Sequence, residues 1–139
     1  MESSNNIQLA VPFFMVKDME ASLKFYSEKL GFIITNQLTP RGRIEWCWLM
    51  RDNVSIMLQE HGKNQHKEIE KGKGISICFQ CKDALLLYKE FASKGVEMKE
   101  PFVGNDMWVV NFTDPDGYTL DFESPTDVPE ETKYSEWVK

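Results

Sequence analysis

The chain has 139 residues, and its 16 Lys and Arg against 22 Asp and Glu leave a formal net charge of −6. That length suits one domain, or two half-size modules sharing a core. An acidic surface repels phosphate backbones, and no apolar run approaches the roughly 20 residues that cross a bilayer, so neither nucleic acid nor membrane is an expected partner.

The first residues, MESSNNIQLAVPFF, contain neither a basic stretch nor a long apolar one. They give no sign of a secretory leader, and a cytoplasmic protein is expected. The next run alternates Val11, Phe13 and Met15 with Phe14 and Val16, the pattern of a strand. Asp18 then caps a helix, because its carboxylate can accept the free N–H groups of the first turn. Met19, Leu23, Tyr26 and Leu30 recur at helical spacing, and Gly31 ends the helix. Extended runs follow at Phe32–Asn36 and Arg43–Met50. The turn Asp52-Asn53 leads into an alternating strand that reaches Gln59. A polar linker, His61 to Lys73, comes next.

The same order is then written again. Cys81-Lys82-Asp83 takes the place of Val16-Lys17-Asp18, and Ala84, Leu87, Tyr88 and Phe91 carry the helical period. Gly95 takes the place of Gly31. It follows Asp83 one position sooner than Gly31 follows Asp18, so the first helix is one residue longer than the second. Extended runs at Val96–Lys99 and Met107–Thr113 lead to the turn Asp116-Gly117 and a last strand through Glu123. The reading is one α+β domain over residues 1–125. A βαβββ module occupies about 7–60, a linker 61–73, and a second βαβββ module about 74–125. An acidic tail follows at 126–139. Neither module buries both faces of its own sheet, so the two pack together, within one chain or across a dimer.

Three cysteines are an odd number in a chain large enough to fold without disulfides, and they read as reduced thiols. Cys78 and Cys81 form a C-x-x-C. Cys78 lies inside a strand rather than at the start of a helix, so the pair reads as two buried thiols and not as a redox motif.

Two segments carry a family resemblance. They are the helix Val16-Lys17-Asp18-Met19-Glu20-Ala21-Ser22-Leu23-Lys24-Phe25-Tyr26 with Leu30-Gly31-Phe32, and the hairpin Asp114-Pro115-Asp116-Gly117-Tyr118-Thr119-Leu120-Asp121. They resemble the vicinal oxygen chelate superfamily, which holds glyoxalase I, bleomycin-resistance proteins, extradiol dioxygenases and fosfomycin-resistance enzymes, over roughly residues 7–125. The resemblance implies the glyoxalase/bleomycin resistance fold, in which paired βαβββ modules form a curved sheet around a cleft, usually in a homodimer. It does not supply a reaction, since one fold hosts many chemistries. The DPDG turn reads as structure: Pro115 sets φ, Asp114 caps the turn and Gly117 takes a positive φ.

Many members of the superfamily hold a divalent metal on the first and last strands of each module. The resemblance places those positions at Val11, Ser76, Met57 (or Ile56 after a one-residue slip) and Asp121. Only Asp121 is a hard ligand, and a carboxylate beside a thioether and a hydroxyl holds a divalent ion poorly. No cofactor is expected, and metal-dependent isomerisation or ring cleavage is disfavoured. A weak site using Asp121, Glu123 and His61 or His66 is the residual metal alternative. The two histidines read as solvated linker residues, and Glu60, on the helix-side parity of Val54, Ile56 and Leu58, as a strand end in water.

Strand parity lists a cleft lining of Val11, Phe13, Met15, Met57, Gln59, Ser76, Cys78, Asp121 and Glu123. Trp46, Trp48 and Trp108 are candidate flat walls, and Gln59 is expected beside Asp121 and Glu123. An apolar, aromatic cleft with a few acids suits a flat or cationic organic molecule. The leading expectation is thus metal-independent binding or sequestration of such a molecule, of the drug-resistance type. The alternative is a lyase, isomerase or dioxygenase with a degenerate or cross-subunit metal site. A third reading makes the tail, with Tyr134 and Trp137, a docking segment.

Overall fold

The computed structural model describes residues 6, 8–60 and 72–138. It contains two sheets of four strands each, one per module. The first sheet is built of β1 (Phe13–Val16), β2 (Ile33–Leu38), β3 (Trp46–Arg51) and β4 (Val54–Glu60), in the spatial order β1-β4-β3-β2. The second is built of β5 (Ser76–Gln80), β6 (Phe102–Gly104), β7 (Met107–Thr113) and β8 (Thr119–Pro125), in the matching order β5-β8-β7-β6. In each sheet the first strand runs parallel to the last and the other pairs are antiparallel. The duplication read from the sequence is therefore a duplication of topology.

Both helices begin where the aspartates predict. The Asp18 side chain accepts from Ala21 N–H at the start of α1 (Met19–Leu23), and Asp83 accepts from Leu86 N–H at the start of α2 (Ala84–Ser93). α1 then continues as a π-helical stretch, Lys24–Lys29. A π turn accommodates one residue more than an α turn over the same axial length. This is the physical form of the extra residue in the first helix, and it lets Gly31 and Gly95 end the two helices at equivalent points, with φ of +79° and +84°. Gly31 has a second reason to be glycine: a Cβ there would lie 2.9 Å from Arg51 Nη1.

One expected strand is displaced. Val96–Lys99 is not a strand, and the strand of that region is β6, at Phe102–Gly104. The two-residue turn Asn105-Asp106, with both φ positive, joins β6 to β7 and so fixes the pairing immediately before it. Val96 instead sits buried in the core.

The helix-side faces of both sheets merge into one core that includes Phe14, Phe25, Tyr26 and Leu58 from the first module and Phe79, Phe91, Phe112 and Phe122 from the second. Phe25 meets Phe112 edge-on at 6.1 Å, and Phe14 stacks on Tyr118 at 4.2 Å. Two polar clasps cross the same junction. Tyr26 donates to Asp114 at 2.7 Å. Arg51 reaches from the first module to Glu90 on α2 with two hydrogen bonds, 2.7 and 3.0 Å, and also donates to Leu30 C=O.

The tail is not a loose end. Thr132 C=O accepts from Val103 N–H and Glu131 N–H donates to Val103 C=O, which adds the segment to the edge of β6. Its last turn is α3 (Tyr134–Trp137).

Candidate functional site

Each sheet has a second face, turned away from the shared core. On the first sheet the register aligns Phe13 with Met57 and Met15 with Gln59 across β1 and β4. It aligns Trp48 with Met57 and Trp46 with Gln59 across β3 and β4. Directly paired residues share a face, so Phe13, Met15, Trp46, Trp48, Met57 and Gln59 form one surface. Leu38, paired with Trp46, extends it. Phe13 is 51 % exposed and Met15 38 %. An apolar aromatic and thioether patch of this kind on an open sheet marks a contact surface rather than a solvated one.

The open face of the second sheet is built from the same strand positions with different chemistry. Cys78 pairs with Asp121 and Gln80 with Glu123 across β5 and β8, Ser76 pairs with Thr119, and Asn111 of β7 lies opposite Asp121. Asn111 Nδ2 donates to Asp121 at 2.5 Å, and Gln80 Nε2 donates to Glu123 at 3.1 Å. Two carboxylates are thus each oriented by one side-chain amide, and beyond them the same face continues into Val109 and Phe102 at the β6 edge. The Cys78 thiol is exposed here, contrary to the expectation of two buried thiols. Partial desolvation, and then the Glu123 carboxylate, push its pKa above the usual thiol value. Cys78 is therefore a neutral polar group and not an activated nucleophile.

Two further expectations change. Trp108 does not belong with Trp46 and Trp48. It pairs with Ser124, lies on the helix side of the second sheet and is only 4 % exposed, covered by Tyr134 and Trp137. Strand parity is readable for β7, but the aromatic cover comes from the tail, beyond β8. Gln59 does not join Asp121 and Glu123: it lies on the other sheet, and the amides that engage these acids are Gln80 and Asn111. Pairing of β7 with β8 is the signal that finds Asn111.

Glu60 departs furthest from its sequence expectation, a strand end in water. It faces the helix side, accepts from Met19 N–H at 2.7 Å and pairs with Arg43. It closes the N-terminus of α1 from 41 residues away, a distance that local pattern reading does not reach.

Of the four positions that the resemblance assigned to a metal, Val11 lies just before β1, and Met57, Ser76 and Asp121 lie on the open faces. Among the described residues no three His, Cys, Asp or Glu side chains converge in a metal-holding arrangement. This donor set does not fit a hard divalent ion. His61 and His66 lie outside the described residues.

A model of the Glyoxalase/Bleomycin resistance protein/Dioxygenase superfamily matches residues 8–122, and the chain belongs to that superfamily. An uncharacterized protein of Bacillus subtilis (strain 168), YurT, is 28 % identical over 120 residues, covering 80 % of this chain and 94 % of that one. Among solved structures, the bleomycin resistance determinant encoded on the transposon Tn5 superposes with a TM-score of 0.68 at 21 % identity, covering 88 % of this chain and 100 % of that one. TnmS3, an antibiotic-binding protein from Streptomyces sp. CB03234, superposes with a TM-score of 0.66 at 19 % identity, covering 88 % and 100 %. These structural likenesses show the fold. No helix among the described residues is long and apolar enough to cross a membrane.

Proposed function

We propose that this protein binds a flat, cationic organic molecule without a metal ion, in a cleft completed by a second copy of the chain. The carrying observation is the chemical contrast between the two open faces. One is aromatic and thioether-rich (Phe13, Met15, Trp46, Trp48, Met57), and the other presents Asp121 and Glu123 held by amides. Facing each other, they offer stacking on one wall and charge pairing on the other, which is what a planar cation needs. In one chain both faces point away from the common core, so each is half a site. A twofold dimer brings the first-module face of one copy opposite the second-module face of the other, and does so twice. The names of TnmS3 and the Tn5 determinant, an antibiotic binder and a bleomycin-resistance protein, support a sequestering role.

Titration of the protein with bleomycin-type cationic drugs, followed by tryptophan fluorescence, tests this. Trp46 and Trp48 sit on the proposed wall, so binding is expected to quench or shift their emission. Asp121→Asn with Glu123→Gln should weaken binding about tenfold or more, and rising salt should weaken it in the wild type only, because charge pairs near a surface are screened. A silent titration across a broad panel of flat cations defeats the proposal.

A further inference from the structure

We infer that a second small-molecule site lies at one corner of the first module and takes a single planar aromatic ring bearing a primary amine. It is separate from the open faces and needs no second copy of the chain. The corner is where α1 starts, where the chain enters β3, and where β4 ends. A cavity of about 280 Å3 opens there. Its floor is Met19, Leu23 and Ile44, of which Met19 is buried and the other two pack against the core.

The internal duplication gives this corner a counterpart in the second module. Counted from the capping aspartates Asp18 and Asp83, Ala84 and Tyr88 hold the places of Met19 and Leu23. Counted from the turns Asp52-Asn53 and Asp116-Gly117, Ser124 holds the place of Glu60. The correspondence is physical as well as positional: Ser124 accepts from Ala84 N–H at 2.8 Å, just as Glu60 accepts from Met19 N–H at 2.7 Å. Over that second corner lies α3. Tyr134 meets Tyr88 at 5.2 Å and Trp108 at 6.3 Å, and Trp137 meets Trp108 at 5.3 Å. The fold thus closes this corner with aromatic rings where the chain supplies them. Among the described residues nothing covers the first corner in the same way. A volume of 280 Å3 lies just below the usual range for small-molecule pockets and admits one ring system.

The rim selects the charge. Asp18, Glu20 and Glu60 set three carboxylates against the one guanidinium of Arg43. Asp18 caps α1 and Glu60 pairs with Arg43, while Glu20 stands exposed at the mouth. An ammonium on a short arm from the ring meets this acidic rim, and a carboxylate in its place is repelled.

Tryptamine is the probe, with indole and indole-3-propionate as comparisons, on full-length protein carrying labelled Met, Leu and Ile methyl groups. Saturable shifts are expected at Met19, Leu23 and Ile44 with tryptamine, smaller with indole and smallest with the propionate. Glu20→Gln, a surface change, is expected to weaken tryptamine by up to about fivefold and to leave indole unchanged. Leu23→Tyr installs the ring that Tyr88 carries and should abolish the shifts at Met19 and Ile44. Trp48→Ala removes the open-face wall and should preserve them, so this site and the dimer cleft fail or succeed independently. The inference is overturned if these methyls do not respond at millimolar tryptamine, if the propionate binds as well as the amine, or if the shifts vanish in Trp48→Ala.

Discussion

Asp114 is the residue on which the module junction turns. Its carboxylate is buried and accepts from Tyr26 O–H and from the N–H groups of Asp116 and Tyr118. Three donors orient it, yet burial outweighs them and its pKa is raised from 3.8. The folded state therefore keeps this proton to higher pH than the unfolded chain. The contribution of Asp114 to stability is greatest at low pH and declines as pH rises from 3.8 through the elevated folded value. Asparagine can still accept both backbone N–H groups but does not titrate. Asp114→Asn is therefore expected to lose ground to wild type at pH 3 and recover relative to it towards pH 7, as measured by urea unfolding at several pH values. A constant difference across that range would show that Asp114 does not titrate as described. The role of this residue is half legible in the sequence: the DPDG turn predicts its capping bonds, but Tyr26, 88 residues away, is a partner that only the packed modules bring.

At the scale of elements, the departures from simple reading have one source. Alternation and helix caps are local, and they locate the helix starts and the strands β1, β4, β5, β7 and β8. β6 escapes them because its register comes from the turn that pairs it with β7, not from its own composition. Trp108 escapes them because β7 parity alone does not say which face the tail covers. That cover is a stability element as well. Removing residues 133–139 uncovers Trp108, and re-exposing a large apolar side chain costs about 2 kcal/mol. The truncated protein is expected to unfold at lower denaturant, with red-shifted tryptophan emission in the folded state. Emission and stability equal to full length would mean that α3 does not cover Trp108 in solution.

At the scale of the whole molecule, the proposed cleft draws one wall from each of two copies, and this has a consequence that a one-chain site lacks. Trp48→Ala removes one wall and Glu123→Gln weakens the other, so each variant alone should bind poorly. When the two are mixed and allowed to exchange subunits, half of each mixed dimer regains an intact pair, with Trp48 from one chain facing Glu123 from the other. Binding is expected to recover to roughly a quarter of wild-type capacity at equal amounts, since half of the dimers are mixed and each holds one intact site of two. No recovery after exchange would place both walls in one chain. Sedimentation of the wild type should show a dimer whose mass is unchanged by the drug.

The sequence by itself determined the duplication, the βαβββ order, the helix caps and the chemistry of the alternating faces, because each of these is written in short local patterns. The donor chemistry of Val11, Met57, Ser76 and Asp121, one carboxylate with a thioether and a hydroxyl, is likewise a property of residue type. Only the tertiary structure decided that the extra helical residue is taken up as a π turn, that Glu60 closes α1, that the tail covers Trp108 at the second-module corner, and that the two open faces point outward. Those outcomes depend on segments far apart in the chain competing for the same space, and spacing along a chain does not encode which of them arrives.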